Sequence, residues 1–437
     1  MTTTSSRGQG EVSALERALG KARWRIIPLL AICYLVAYMD RANISFAAET
    51  MNRDLHFSPS VYGLGAGLFF LSYALCEIPS NWMMLRFGAR RWLARIMLTW
   101  GLLAGAMMLV HTPWSFYAMR LLLGVAEAGF FPGVIFYLST WFPVEQRARA
   151  ISQFYIAFPL SNLVMGAAAG VLLRLDGRMG LKGWQWLFLV EAAPAVVLSF
   201  VLWFALPDGS ATAGWLSLEE RAAVTAACGD GDSVETSGLW EGLRNMRVWL
   251  LAGMFCCSMA AYYALVFSLP QVLRQVTGWD AGRVGYLIAG MGVAGAAAML
   301  IVAIFSDRSK KRVRYTLPAF TLMGGMVLAA GLAVSSSKAW AGWGAALALL
   351  GVLVVYYGVQ GPMQALMSEV EEGPARAVAI AAINMFAIFG GFVGPYWMGW
   401  MRELTGGYGP GIAALGGVYL LAFVFLWGYS VVERRRI

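Results

Sequence analysis

The chain has 437 residues, 59% of them apolar or aromatic and only 13% charged, against about 25% charged in an average soluble domain. A mean hydropathy of +0.64 excludes a soluble single-core enzyme, a disordered chain and a disulfide-stapled module. The net charge of +9 reads as basic loops along one membrane face rather than a nucleic-acid surface, because the positive residues fall between apolar runs.

Residues 1–24 are polar without an apolar core, so they read as a tail and not as a cleavable signal peptide. Twelve apolar runs follow, each long enough to cross about 30 Å of hydrocarbon. They lie near 25–46, 59–85, 92–110, 114–138, 148–173, 185–206, 247–270, 284–306, 315–334, 339–367, 375–401 and 410–432. The predicted organisation is a six-helix bundle over 25–206, a linker over 207–246, a second bundle over 247–432 and a short tail, 433–437. In the linker, Ser217-Leu-Glu-Glu220 has capping-box spacing and predicts a short helix.

Twelve crossings put both ends of the chain on one side. Lys and Arg number 23 on the side holding the termini and seven on the other, so both termini are expected in the cytoplasm. Trp92, Trp114, Trp141, Trp184, Trp249 and Trp340 fall near span ends, as an interfacial belt would place them.

The two halves echo each other. Glu145-Gln-Arg-Ala-Arg-Ala150 and Glu372-Gly-Pro-Ala-Arg-Ala377 both read E-x-x-A-R-A, 227 residues apart. Arg86-Phe-Gly-Ala-Arg-Arg91 aligns with Asp307-Arg-Ser-Lys-Lys-Arg312 at an offset of 222. The implied fold class is all-α and integral to the membrane: twelve helices in two pseudo-symmetric six-helix bundles, with a substrate site between them near the midplane.

Charge inside a membrane is costly, at least about 2.5 kcal/mol on insertion scales, and is a functional hypothesis by default. Asp40, Arg41, Glu77, Arg120, Glu127 and Glu191 are the candidates. Asp40 and Arg41 are neighbours and diverge by about 100° around the helix, so one can face a cavity while the other faces a neighbouring helix. Arg120 and Glu127 are seven residues apart and share a face, about 10 Å apart, too far for a rigid direct pair but able to share waters or to be bridged by Asp40. A permanently charged guanidinium matches a carboxylate anion, and burial disfavours the charged form of a nearby acid. That combination suits proton-coupled binding of an anion. Glu77 and Glu191 are expected to make structural bonds near helix kinks, and His111 to lie at the surface.

Tyr38, Tyr73, Phe131, Tyr262, Gln360, Gln364 and Asn384 are the aromatic and amide residues expected to line the cavity. Glycine and proline break several spans, as at Gly129-Phe-Phe-Pro-Gly133 and Phe389-Gly-Gly-Phe-Val-Gly-Pro395. The five cysteines suggest no disulfide framework, and with two histidines no metal site is expected.

Asp40-Arg41-Ala-Asn43, Glu77-Ile-Pro-Ser-Asn81, Arg86-Phe-Gly-Ala-Arg-Arg91, Gly124-Val-Ala-Glu-Ala-Gly-Phe-Phe-Pro-Gly133 and Gly183-Trp-Gln-Trp-Leu-Phe188 with Glu191 resemble the major facilitator superfamily. Within it they resemble the anion:cation symporters, in the branch of tartrate and aromatic-acid (phthalate, 4-hydroxyphenylacetate) permeases. The resemblance covers nearly all of 24–432. It implies proton-driven import of an organic anion by alternating access, with protons as the coupling ion and no other cofactor. It implies that Asp40 and Glu127 take up protons, that Arg120 couples to Glu127, and that Arg41 meets the substrate carboxylate with Asn43 nearby. Arg86, Gly88, Arg90, Arg91, Asp307 and Arg308 correspond to the gating loops. Leu85 replaces the Asp usual in the first loop, and the seventh span lacks the second substrate arginine of the vesicular branch. A monomer in a bacterial inner membrane is expected, with lipid and a small organic anion as partners and no nucleic acid. A facilitator without coupling and a substrate-sensing receptor are the alternatives. No catalytic constellation supports an enzyme.

Overall fold

The computed structural model describes residues 3–228, 243–309, 311–336, 339–371 and 375–434. Among them the regular structure is helical throughout: α1 (Thr3–Leu55), α2 (Pro59–Phe87), α3 (Ala89–Ala106), α4 (Pro113–Glu127), α5 (Phe130–Ser139), α6 (Val144–Tyr155), α7 (Ala157–Leu172) and α8 (Gly183–Ala205). The linker helix α9 (Leu218–Cys228) follows, and then α10 (Met246–Thr277), α11 (Ala281–Ser309), α12 (Arg312–Val334), α13 (Ala339–Glu369), α14 (Ala375–Thr405) and α15 (Gly409–Arg434).

Twelve helices among the described residues are long and apolar enough to cross a membrane. The fourth span is α4 plus α5, and the fifth is α6 plus α7. The first helix is longer than its apolar run: the polar stretch read as a tail continues α1 back to Thr3. Apolar length defines only what lipid must cover, and helical hydrogen bonding continues past it into water.

The break in the fourth span has a local cause. Gly129 sits at φ +84°, in the left-handed region that favours glycine. The carbonyl of Ala128 accepts a hydrogen bond from Ser80 Oγ at 2.6 Å. A Cβ at Gly129 would lie 2.4 Å from that hydroxyl.

The predicted linker helix is present. Glu220 N–H donates to Ser217 Oγ at 3.2 Å, and Ser217 N–H donates to Glu220 Oε2 at 2.9 Å. Lys21 Nζ donates to both Glu220 oxygens at 2.8 Å, which docks α9 on α1. The tryptophan belt is partial. Trp114 is exposed, but Trp141 and Trp184 are buried, Trp141 stacking on Trp215 and Trp184 donating to Asp54. The side chain of Trp340 lies outside the described residues, as do Glu145 and residues 372–374 of the repeated motif.

The two halves meet through α2 against α14 and α7 against α11. On the side away from the termini these contacts are backbone on backbone. A Cβ added at Gly166 would lie 2.3 Å from Gly285 O, and one at Gly285 would lie 2.2 Å from Gly166 O. Gly399 stands in the same relation to Pro59 O, at 2.3 Å. Small residues allow this approach where lipid gives helices no hydrophobic reason to associate. Arg274 with Glu49 (2.7 Å) and Ser60 N–H with Glu403 (3.1 Å) tie the halves on that side. Tyr62 donates to Phe267 O at 3.1 Å beside a small cleft between the halves.

Candidate functional site

The charged residues of the first half converge behind this closure. As neighbours about 100° apart on a helix, Asp40 and Arg41 have separate partners. Asp40 is buried and accepts hydrogen bonds from Trp100 Nε1 at 2.9 Å and Asn43 Nδ2 at 3.0 Å. Arg41 turns to α4, where its Nε and Nη2 lie 2.8 and 2.6 Å from one oxygen of Glu127, Oε1. The other oxygen, Oε2, is buried and has no protein partner. The rings of Tyr38, Phe69 and Tyr73 surround the guanidinium at 5.0–5.5 Å.

A buried ion pair adds little net stability, because desolvation offsets its attraction, while removing one partner costs about 3–5 kcal/mol. An arginine held on one oxygen of a carboxylate, with the second oxygen open, is therefore poorly explained as a fold stabiliser. Chemically, the arrangement can add a proton at Oε2 and release the guanidinium to another carboxylate.

Arg120 lies two turns from Glu127, as its spacing on α4 requires. It does not touch Glu127. Its Nε and Nη2 donate to the carbonyls of Gly65 and Ala66 at 3.2 and 3.3 Å, and its guanidinium lies 4.8 Å from the Phe69 ring centre. Arg41 takes the carboxylate. Asn43 is committed to Asp40. Asn384 donates to Glu77 Oε1 at 2.8 Å, a bond between the two halves on the terminal side. Glu191 is buried on α8 beside Asn43, without a hydrogen bond of ordinary geometry at either oxygen.

Tyr262 is buried, stacks on Tyr356 at 4.2 Å and shares a 3.1 Å hydroxyl contact with Tyr357. Gln360 is buried one turn further along α13, and Gln364 is half-buried. Phe131 packs on Tyr34 at 5.3 Å.

In the loops, Arg86 lies over Trp82 and Phe87. Gly88 turns the chain at φ +86°. Arg90 bonds Asp208, from beyond α8, through its N–H at 3.1 Å. Arg91 and Arg308 are exposed, and Asp307 pairs with Arg312 at 2.6 Å. The basic residues of the seventh span lie at its ends. Arg247 pairs with Glu433 and Glu371 at the terminal side, and Arg274 with Glu49 at the other. His111 is exposed, as expected.

Sequence reasoning missed the bridge between the halves. Tyr38 contacts Phe158 at 4.4 Å, and Phe158 contacts Tyr357 at 5.0 Å. Asn162 Nδ2 donates to Tyr357 Oη at 2.8 Å, and Phe70 meets Tyr263 at 4.3 Å. The signal was present as the doublets Tyr262-Tyr263 and Tyr356-Tyr357 on the seventh and tenth spans. Trp100, the Asp40 partner, had no distinguishing pattern.

Residues 30–395 match the profile of the Major Facilitator Superfamily. The chain belongs to that superfamily. It is 40% identical over 414 residues to a protein of Agrobacterium vitis named "Putative tartrate transporter", covering 93% of this chain and 90% of that one. It is 34% identical over 383 residues to the "Inner membrane transport protein RhmT" of Escherichia coli (strain K12), covering 87% and 88%. A solved bacterial homolog of the human lysosomal transporter Spinster, inward-facing and occupied, superimposes with a TM-score of 0.75 at 15% identity, over 93% of this chain and 97% of that one. The last likeness concerns the fold. The chain is a multi-pass membrane transporter of this superfamily and not an enzyme.

Proposed function

We propose that the protein imports a small organic anion, a tartrate-type or aromatic carboxylate, together with protons. The observation that carries this reading is Arg41 held on a single oxygen of Glu127 with Oε2 open. A proton arriving at Oε2 neutralises the carboxylate and weakens its hold on Arg41. The guanidinium then presents its fork to the substrate carboxylate. Tyr38 and Tyr73 flank it, and the tyrosines of α10 and α13 complete the site from the other half. Asp40, anchored by Trp100 and Asn43, is the second proton-accepting group. Arg120 acts by fixing α4 against α2. The names of the relatives support a carboxylate and an inner membrane.

In this reading each six-helix half moves as a unit and the protein works as a monomer by alternating access. Its termini lie in the cytoplasm of a bacterial cell. The backbone contacts of Gly166 with Gly285 and of Gly399 with Pro59 close the far side, and the gating loops lie on the terminal side.

The test is uptake into reconstituted vesicles with an inward proton gradient, using tartrate, sugar acids and aromatic carboxylates. Concentrative uptake is expected in the native protein. Arg41→Ala abolishes it, and Glu127→Gln leaves exchange without accumulation. Full accumulation by Glu127→Gln would move the proton site elsewhere, and gradient-independent equilibration by the native protein would make it a facilitator.

A further inference from the structure

The repeat between the halves departs at the residue past the last span of each half, and there a groove opens. The sixth span starts at Gly183 and the twelfth at Gly409, 226 positions apart. At that offset Asp208, just past α8, corresponds to Arg434, at the end of α15. In the first half Asp208 neutralises the basic loop, pairing with Arg90 and approaching Gly88. Arg90 corresponds to Arg312 at the loop offset of 222. In the second half a cation, Arg434, takes the position of Asp208, and Arg312 is neutralised by Asp307 and Glu369 instead.

The terminal-side ends of α12, α13 and α15 line an open groove there. Its carboxylates are already engaged: Glu369 with Arg312 at 3.3 Å, and Glu433 with Arg247 at 2.6 Å. Among the described residues no carboxylate forms an ion pair with Lys311, Arg314 or Arg434, and all three are exposed. Beside them the wall is apolar, formed by Leu317, Pro318 and Trp427, the last 55% exposed.

We propose that this groove binds an anionic phospholipid, its phosphate held by Lys311, Arg314 and Arg434 and its acyl chain lying along Leu317, Pro318 and Trp427. Guanidinium and ammonium groups are the ordinary protein ligands of a phosphodiester. Basic pockets between spanning helices suit charged headgroups. Charge and hydrocarbon at one concave site distinguish this groove from a merely basic loop, and a soluble anion would leave the apolar wall unused. The assignment does not depend on the transport reading.

The test is native mass spectrometry of the delipidated full chain with added phosphatidylglycerol, phosphatidylethanolamine or inorganic phosphate. The native protein is expected to retain phosphatidylglycerol over phosphatidylethanolamine. Each basic residue near an anionic headgroup contributes about fivefold in affinity. The triple variant Lys311→Gln/Arg314→Gln/Arg434→Gln should therefore lose on the order of a hundredfold for phosphatidylglycerol. A charge-matched variant of the far side, Arg53→Gln/Arg178→Gln/Arg283→Gln, should lose nothing.

If the triple variant does not fold, tryptophan quenching by brominated-chain phosphatidylglycerol decides the matter on native charges, because Trp427→Phe must remove part of the quenching. Equal retention of the two lipids by the native protein would overturn the assignment. So would an unchanged preference in the triple variant, undiminished quenching in Trp427→Phe, or complete displacement of the lipid by inorganic phosphate.

Discussion

Gly285→Ala tests whether the contact between α7 and α11 is a closure that opens. The new Cβ would lie 2.2 Å from Gly166 O, where 3.4 Å is an ordinary contact. The helices must separate locally by roughly 1 Å, and neither atom belongs to a side chain that could rotate away. Overpacking of this kind costs about 1–3 kcal/mol. If that cost falls on the closed arrangement alone, the closed-to-open ratio drops about five- to a hundred-and-fiftyfold.

Ser268→Cys, in a background without the five native cysteines, reports the change, since Ser268 is 4% exposed and lines the cleft between the halves. Its reaction with a membrane-impermeant maleimide should accelerate by that factor in Gly285→Ala. Gly290→Ala, on the same helix with nothing within 4 Å of its new Cβ, should leave the rate alone. An unchanged rate in a folded Gly285→Ala protein, or equal acceleration by both variants, would refute the reasoning.

Three further outcomes follow from named contacts. Trp100→Phe deprives Asp40 of a buried donor and should destabilise the protein by about 1–3 kcal/mol, seen as a lower melting temperature that Trp184→Phe on a half-exposed partner does not match. Glu49→Gln should change the melting temperature little, because its pair with Arg274 is 30–42% exposed and such pairs contribute about 0–1 kcal/mol. The hydrogen bond from Lys21, with that from Ser217 N–H, holds the Glu220 carboxyl below its ordinary value. The docking of α9 is thus fully stabilised above the ordinary glutamate value of about 4.3 and is lost as pH falls through the lower folded value. Hydrogen exchange over 218–228 should show protection declining only in that acid range, and Glu220→Gln should remove the dependence.

Hydrophobic length, charge asymmetry and capping spacing are local quantities. They were enough for twelve spans, the linker helix at Ser217 and the break at Gly129. The family was legible for the same reason, since its motifs are short runs such as Asp40-Arg41-Ala-Asn43. A lone charge in an apolar span announces its cost, so Asp40, Arg41, Arg120 and Glu127 stood out as a group.

Their pairing did not. Arg120 shares a helix face with Glu127, yet it bonds the carbonyls of Gly65 and Ala66 while Arg41, from another helix, takes the carboxylate. Sequence spacing measures direction along one helix, whereas a partner is chosen by how several helices rotate and approach. The tyrosine bridge through Phe158 and Asn162 and the pairing of Asp208 with Arg90 were invisible on the same ground. Each joins residues far apart in the chain at distances that only helix packing sets.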